Sequence, residues 1–306
     1  MEYQTLEHFL GDIRIRLNQE KIRRKLAVAA AHDEHTLQAV KMAYDDGIIL
    51  PILIGKKDKI QEIMSTISFN VPDAVIKDIS DVDMAAAEAV RMVREGEADF
   101  LMKGILNTAN MLRAVVNREH GLTNGSLVSH FTLAEISGYH KLIAYTDVGI
   151  VISPTFEQKT DILNNALNTM RTWGYENPKA AILTAVETIN PKMPETQDAA
   201  ELKKMALEGK FGNCIVEGPI SFDLTFNSEI AQIKGFKSPV VGNADILLVP
   251  SVVTGNIMAK TIMTFAKMKS LALALGALAP MVITSRGTTI EGKYRSIIAA
   301  AGAVKN

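Results

Sequence analysis

The chain has one cysteine, Cys214, and so forms no internal disulfide and no multi-cysteine zinc site. That usage fits a reducing compartment. It also lacks a surplus of either charge, with a formal net charge of −1 over 306 residues. A nucleic-acid binder carries a basic excess, and none is present. Long hydrophobic runs are missing too. The longest, over 270–284, is too short to span a bilayer, contains Pro280 and follows Lys267 and Lys269. The opening Met1-Glu2-Tyr3-Gln4 lacks the basic-then-apolar order of a signal peptide, so a soluble, cytoplasmic protein is expected. There is no Gly-x-Gly-x-x-Gly, no Walker loop and no Gly-x-Ser-x-Gly elbow. These absences argue against a dinucleotide-binding Rossmann enzyme, a P-loop NTPase and an α/β-hydrolase.

What is present is alternation. Short aliphatic runs at 26–31, 51–54, 75–79, 100–102, 142–145, 180–183, 214–216, 246–249 and 281–284 read as strands. Most are unbroken apolar, the pattern of strands covered by helices on both faces. Between them lie amphipathic stretches with readable ends. Asp33 caps one that places Leu37, Val40 and Tyr44 on one side and stops at Gly47. Asn107 caps another, over 109–117. A third, 157–173, lines up Ile162, Ala166, Met170 and Trp173 before Gly174. The fold class is α/β, with a mainly parallel sheet. In such sheets functional residues gather just past the carboxyl ends of strands. Here those positions hold Lys103-Gly104, Thr146-Asp147, Glu187, Glu217-Gly218-Pro219, 251–256 and Ser285-Arg286-Gly287.

Three of these segments have the form of a chemical site. In 281–289 a buried strand runs into Ser285, Arg286 and Gly287, and a helix-like stretch follows. Backbone N–H groups at a helix start beside a guanidinium suit a phosphate or a developing oxyanion. The competing reading is that Ser285 or Thr288 only caps the helix. The segment 245–257 repeats the form: an apolar strand ends at Pro250, and Thr254-Gly255-Asn256 opens a helix. Gly255 lets backbone approach a ligand closely, or marks an ordinary turn. In 214–223, Glu217 and Asp223 flank a Gly-Pro turn, as substrate-orienting acids or as an ion-pair partner and a cap. His32 and His35 fall in a turn and a first helical turn and do not share the i, i+4 face of a helical zinc site. Cys214 sits inside an apolar strand, as inert core thiols do.

Taken in order, these pieces resemble the phosphate acetyltransferase/phosphate butyryltransferase family. The matching segments are 103–113, Tyr145-Thr146-Asp147 leading into 152–155, 217–223, 249–257 and 284–287. The likeness runs from about Lys25 to the end of the chain, and 187–200 looks like the butyryl branch. The resemblance implies two α/β domains arranged as in isocitrate and isopropylmalate dehydrogenases, with an interdomain cleft. Residues 1–126 with 275–306 are expected in one domain and 127–274 in the other. It implies direct transfer of a butyryl group between coenzyme A and phosphate, with no cofactor beyond the thioester substrate, no metal, and a homodimer or larger homo-oligomer. By the same resemblance Ser285 donates to the oxyanion or the reacting thiol and Arg286 holds phosphate or CoA. Arg113 faces the acyl phosphate, and Lys103, Gly255, Asn256 and Gly287 join it in substrate binding. The acetyl enzymes carry an aspartate seven positions after this serine. Here Gly292 stands there with Glu291 beside it, and Glu291 becomes the candidate base.

Three other functions compete. One is phosphate acetyltransferase activity, since acyl length rests on pocket volume and one methylene is worth only about 1–3 kcal/mol. A second is a relative that binds CoA or phosphate metabolites without turnover. The third is a metal- and nicotinamide-dependent decarboxylating dehydrogenase. That reading needs an aspartate cluster, and Asp147, Asp161, Asp223 and Asp245 fall on separate segments.

Overall fold

A computed structural model of the chain describes residues 2–71, 75–285 and 287–304. In chain order the first elements are α1 (Leu6–Gln19), β1 (Arg24–Ala29), α2 (Glu34–Asp45), β2 (Ile49–Gly55), α3 (Lys57–Thr66), β3 (Val75–Asp78) and α4 (Val82–Arg94). Next come β4 (Phe100–Lys103), α5 (Thr108–Val115), β5 (Ser129–Ile136), β6 (Ile143–Thr146), α6 (Phe156–Thr172), β7 (Lys179–Leu183) and α7 (Pro194–Leu207). The last are β8 (Ile215–Ile220), α8 (Phe222–Phe226), α9 (Ser228–Ile233), β9 (Ile246–Leu248), α10 (Val252–Phe265), β10 (Met268–Leu275), β11 (Met281–Val282) and α11 (Ile290–Ala303).

The chain forms two compact units. One, here the N/C unit, joins Glu7–Val128 to Leu271–Asn306; the other, the middle unit, joins Met1–Leu6 to Ser129–Ser270. The sequence reading placed residues 1–6 with the N/C unit, and the physical reason for the difference is local. Tyr3 O accepts from Leu142 N at 2.8 Å, and Leu6 N donates to Glu135 Oε2 at 2.8 Å. Glu2 meets Lys141 at 3.2 Å and Lys179 at 2.9 Å. The other two breaks fall at 128/129 and 270/271, against the expected 126/127 and 274/275.

In the N/C unit the strand order is β3-β2-β1-β4-β11, all parallel, and Ala274 of β10 pairs antiparallel with Met281 of β11. β1 and β4 carry the core: Leu26 to Ala29 and Phe100 to Met102 are fully buried, as strands covered on both faces must be. Asp33 caps α2 by accepting from Thr36 N at 2.9 Å. The expected strand 26–31 ends at Ala29 because Ala30 turns to φ 53°. In the middle unit the order is β5-β6-β9-β7-β8, parallel throughout except for β5 against β6. α6 begins with a capping box, Thr155 and Gln158 serving each other's backbone N–H. Trp173 ends α6 edge-on to Phe131 with ring centroids 5.8 Å apart, a packing role.

The architecture is α/β with mostly parallel strands in each unit. β5 and β10 are the two strands absent from the sequence reading, and both make antiparallel pairs. β5 interleaves His130, Thr132 and Glu135 with its apolar residues, so its sequence is not the unbroken apolar run that marks the parallel strands.

Candidate functional site

In the N/C unit the candidates lie where β4 and β11 end. Thr284 is buried and Ser285 exposed, so the chain surfaces at the hydroxyl. Ser285 Oγ accepts from Gly287 N at 3.2 Å, and Ser285 O accepts from Thr288 N at 3.1 Å. Ser285 does not cap α11. That task falls to Thr289, whose hydroxyl oxygen accepts from Gly292 N at 3.1 Å. The described bond uses the Ser285 oxygen as an acceptor and leaves its hydrogen for a ligand. Arg286 lies outside the described residues. Gly287 is exposed, and a Cβ there meets only Ser285 Oγ, at 3.9 Å, so no steric demand fixes glycine at this position. Glu291 is exposed in the first turn of α11.

Lys103 ends β4 and is buried, with its ammonium donating to Leu106 O at 3.0 Å and Gly104 O at 3.4 Å. The charge holds the turn after β4. Gly104 follows because the end of β1 passes too close for a side chain: a Cβ would collide with the Ala30 carbonyl, and Gly104 N donates to Ala29 O at 2.8 Å. Arg113, on α5, is open to solvent, with its guanidinium 3.9 Å from Asp83. That separation leaves it able to turn to an anion. His32 accepts from Lys56 N at 3.5 Å, and its imidazole is pushed down by burial and then by Lys56 and Lys59. His35 is exposed on α2. Among the described residues no group of three or more His, Cys, Asp or Glu is placed to hold a metal.

In the middle unit the turn after β9 is packed rather than open. Ser251 caps α10, accepting from Thr254 N at 3.4 Å. Gly255 is buried, and a Cβ there would lie 2.7 Å from both Val148 Cγ1 and Val249 Cγ2. The close approach that requires glycine here is between α10 and the 147–149 loop. Asn256 Nδ2 donates to Val148 O at 3.3 Å and ties α10 to the same loop. Buried Asp147 anchors that loop, accepting from the backbone N–H of Gly149 and Ile150 at 2.8 Å each, of His130 at 2.9 Å and of Val151 at 3.2 Å. Glu217 is buried, accepting from Lys203 at 2.6 Å and Gly218 N at 3.0 Å, the contacts of an ion-pair partner. Ser221 donates to Glu187, and Lys234 bridges Glu187 at 2.9 Å and Asp223 at 3.2 Å. The Ser221 hydroxyl, then Lys234, holds both carboxyls below their usual range. Burial pushes the Cys214 thiol up, away from a reactive thiolate.

One feature had no signal in the sequence. At the carboxyl ends of β7, β8 and β9 lies a cavity of ≈ 430 Å³ between the 184–196 stretch, Phe222 and α10. Its lining comes from four separate segments, so no single motif announces it. The stretch 187–200, singled out in the sequence, overlaps one wall.

Comparison with known proteins agrees with the motif order. Residues 77–301 match the family described as phosphate acetyl/butaryl transferase. The chain is 42% identical over 283 residues to phosphate butyryltransferase of Clostridium acetobutylicum, covering 92% of this chain and 94% of that one. It is 38% identical over 280 residues to phosphate acetyltransferase of Thermotoga maritima, covering 91% and 94%. Among solved structures, a branched-chain phosphotransacylase from Enterococcus faecalis superposes with a TM-score of 0.80 at 30% identity, covering 92% of this chain and 99% of that one. The chain belongs to the phosphate acetyl/butyryl transferase family.

Proposed function

We propose that this protein is a phosphate acyltransferase of the butyryl type: acyl-CoA plus phosphate gives acyl phosphate plus CoA. The observation that carries this is the 42% identity to a phosphate butyryltransferase over nearly the full length of both chains. In the proposed reaction a phosphate oxygen attacks the thioester carbonyl, the tetrahedral oxyanion forms, and its collapse expels the CoA thiolate. Such a step needs donors placed for the oxyanion and a grip on phosphate. The exposed Ser285 hydroxyl at the end of β11 serves as the donor to the oxyanion or departing sulfur. Arg286 and Arg113 hold phosphate and acyl phosphate, for which a planar guanidinium suits gripping and release. Glu291, in the first turn of α11, takes the thiol proton in the reverse direction. Gly287 is part of the turn that carries Ser285, while Lys103 acts through the shape of its own turn. No cofactor or metal enters this scheme.

The test is phosphate-dependent CoA release from acetyl-CoA and butyryl-CoA, by wild type and Arg286→Ala, with and without chelator. Faster turnover of butyryl-CoA, indifference to chelator and a crippled variant are the expected results. Preference for acetyl-CoA would make it an acetyltransferase, as the Thermotoga maritima relative is named. Preference for a branched acyl group would align it with the Enterococcus faecalis enzyme. No release from any acyl-CoA at high phosphate would leave a binding protein.

A homodimer or larger assembly is part of the proposal. α10 leaves Val253 and Ile257 each 62% exposed and Phe265 87% exposed, an apolar face suited to a second copy. Sedimentation of Ile257→Asp against wild type tests this. A cytoplasmic location is proposed on the single cysteine. No described helix is long and apolar enough to cross a membrane.

A further inference from the structure

The cavity in the middle unit lies past the carboxyl ends of β7, β8 and β9, where parallel sheets place their ligands. Its volume, ≈ 430 Å³, is in the range of roughly 300–1,000 Å³ typical of small-molecule sites. The walls are largely apolar, with Leu183, Met193, Phe222 and Met258 among them.

Its threonine hydroxyls are already engaged. Thr184 Oγ1 donates to Val186 O at 2.6 Å. Thr196 Oγ1 donates to Met193 O at 2.7 Å and accepts from Asn190 N at 2.8 Å. Thr254 pairs its hydroxyl with Ser251 at 3.2 Å. An occupant with amide groups, such as the arm of coenzyme A, would lose hydrogen bonds to water and regain few. The remaining polar lining residue is Glu195, a carboxylate that repels phosphates. A nucleotide end is thus disfavoured, and a hydrocarbon is favoured.

Resting on the acyltransferase reading, we infer that this cavity receives the hydrocarbon tail of the acyl group and sets the chain length the protein accepts. Its size exceeds what a two-carbon group fills, so tails of four or more carbons, straight or branched, are the class it takes. Two of its walls are methionines, whose unbranched side chains adapt to tails of different shape. Met193 and Met258 are accordingly specificity residues, together with Ala185, which lines the same cavity and offers room for a larger side chain.

The test is calorimetric titration of CoA, acetyl-CoA, butyryl-CoA, isovaleryl-CoA and hexanoyl-CoA into the full chain without phosphate, so that no turnover is needed. Wild type is expected to bind the longer thioesters more tightly than acetyl-CoA. Ala185→Leu narrows the cavity and weakens hexanoyl-CoA tenfold or more, because one methylene in an apolar pocket is worth about 10–200-fold. CoA and acetyl-CoA stay within about twofold in that variant by the same reasoning. Met193→Ala enlarges the cavity and shifts preference toward longer tails, and it decides the matter if Ala185→Leu fails to fold by circular dichroism. Equal weakening of CoA and every thioester would assign the cavity to the CoA moiety and overturn the inference. So would affinities that ignore acyl length in wild type. Failure of the activity reading looks different: chain-length-dependent binding would persist with no phosphate-dependent CoA release.

Discussion

The two strand-to-helix turns, one in each unit, are alike in sequence and opposite in structure. Each has an apolar strand, then a serine, then a glycine near a helix start. After β9, Ser251 itself caps α10, Gly255 is clamped under Val148 and Val249, and Asn256 ties down the loop. After β11, Thr289 caps the helix, and Ser285 stands four residues earlier, exposed, beside a glycine with open space. The first turn spends its polar atoms on architecture. In the second a threonine does that work and frees the serine. Whether a serine in such a turn is structural depends on which residue takes the cap, and one hydroxyl further along the chain decides it.

The largest expected difference between the turns is in turnover. Ser285→Ala should lower kcat by about 10²–10³ with KM little changed, the loss typical of one oxyanion donor. Ser251→Ala should leave kcat intact and cost about 1 kcal/mol in denaturant unfolding, as loss of a helix cap does. Equal effects on kcat would erase the distinction. The glycines sharpen it next. Gly255→Ala places a methyl 2.7 Å from two valine methyls and should destabilise by about 1–3 kcal/mol. Gly287→Ala should stay within about 0.5 kcal/mol, as surface changes do. Thr289→Ala should cost about 1 kcal/mol in urea unfolding by removing the cap of α11.

The smallest effect is a pH control placed away from both turns. Glu88 is held down to about 2, first by Arg91, at 2.9 Å, and then by Lys77, against burial that raises it. A carboxyl depressed on folding stabilises fully above its unfolded value and loses that contribution as pH falls through its folded value. Melting temperatures should therefore separate wild type from Glu88→Gln above about pH 4.5, the ordinary glutamate value, and converge toward about 2. The variants of the two turns should show no such convergence.

The α/β class was legible because unbroken apolar runs such as Leu26–Ala29 and Phe100–Met102 have few other homes than a covered parallel strand. The family was legible in the order of short segments, none of them specific alone. β5 was not legible, since antiparallel pairing tolerates the His130, Thr132 and Glu135 that break its apolar pattern. Spacing alone also left two readings of Ser285, cap or site. Only the hydrogen bond from Gly292 N to Thr289 separates them. The cavity was illegible for a different reason: Thr184, Met193, Phe222 and Met258 come from segments that meet only once β7, β8 and β9 lie side by side.

The return of the chain to the N/C unit has a consequence for biosynthesis. β11 takes the place beside β4, pairing Met281 with Leu101 and Val282 with Met102, and only then does the chain reach Ser285. A ribosome must therefore make some 180 residues between β4 and its neighbour, on the order of 10–40 s at about 5–20 residues per second. Throughout that interval β4 offers an unpaired edge, the kind of surface that invites wrong partners. The N/C unit thus waits longest for its last strand. A transcript cut short anywhere before the final strand yields a protein without the proposed catalytic serine, so incomplete copies are silent rather than partly active.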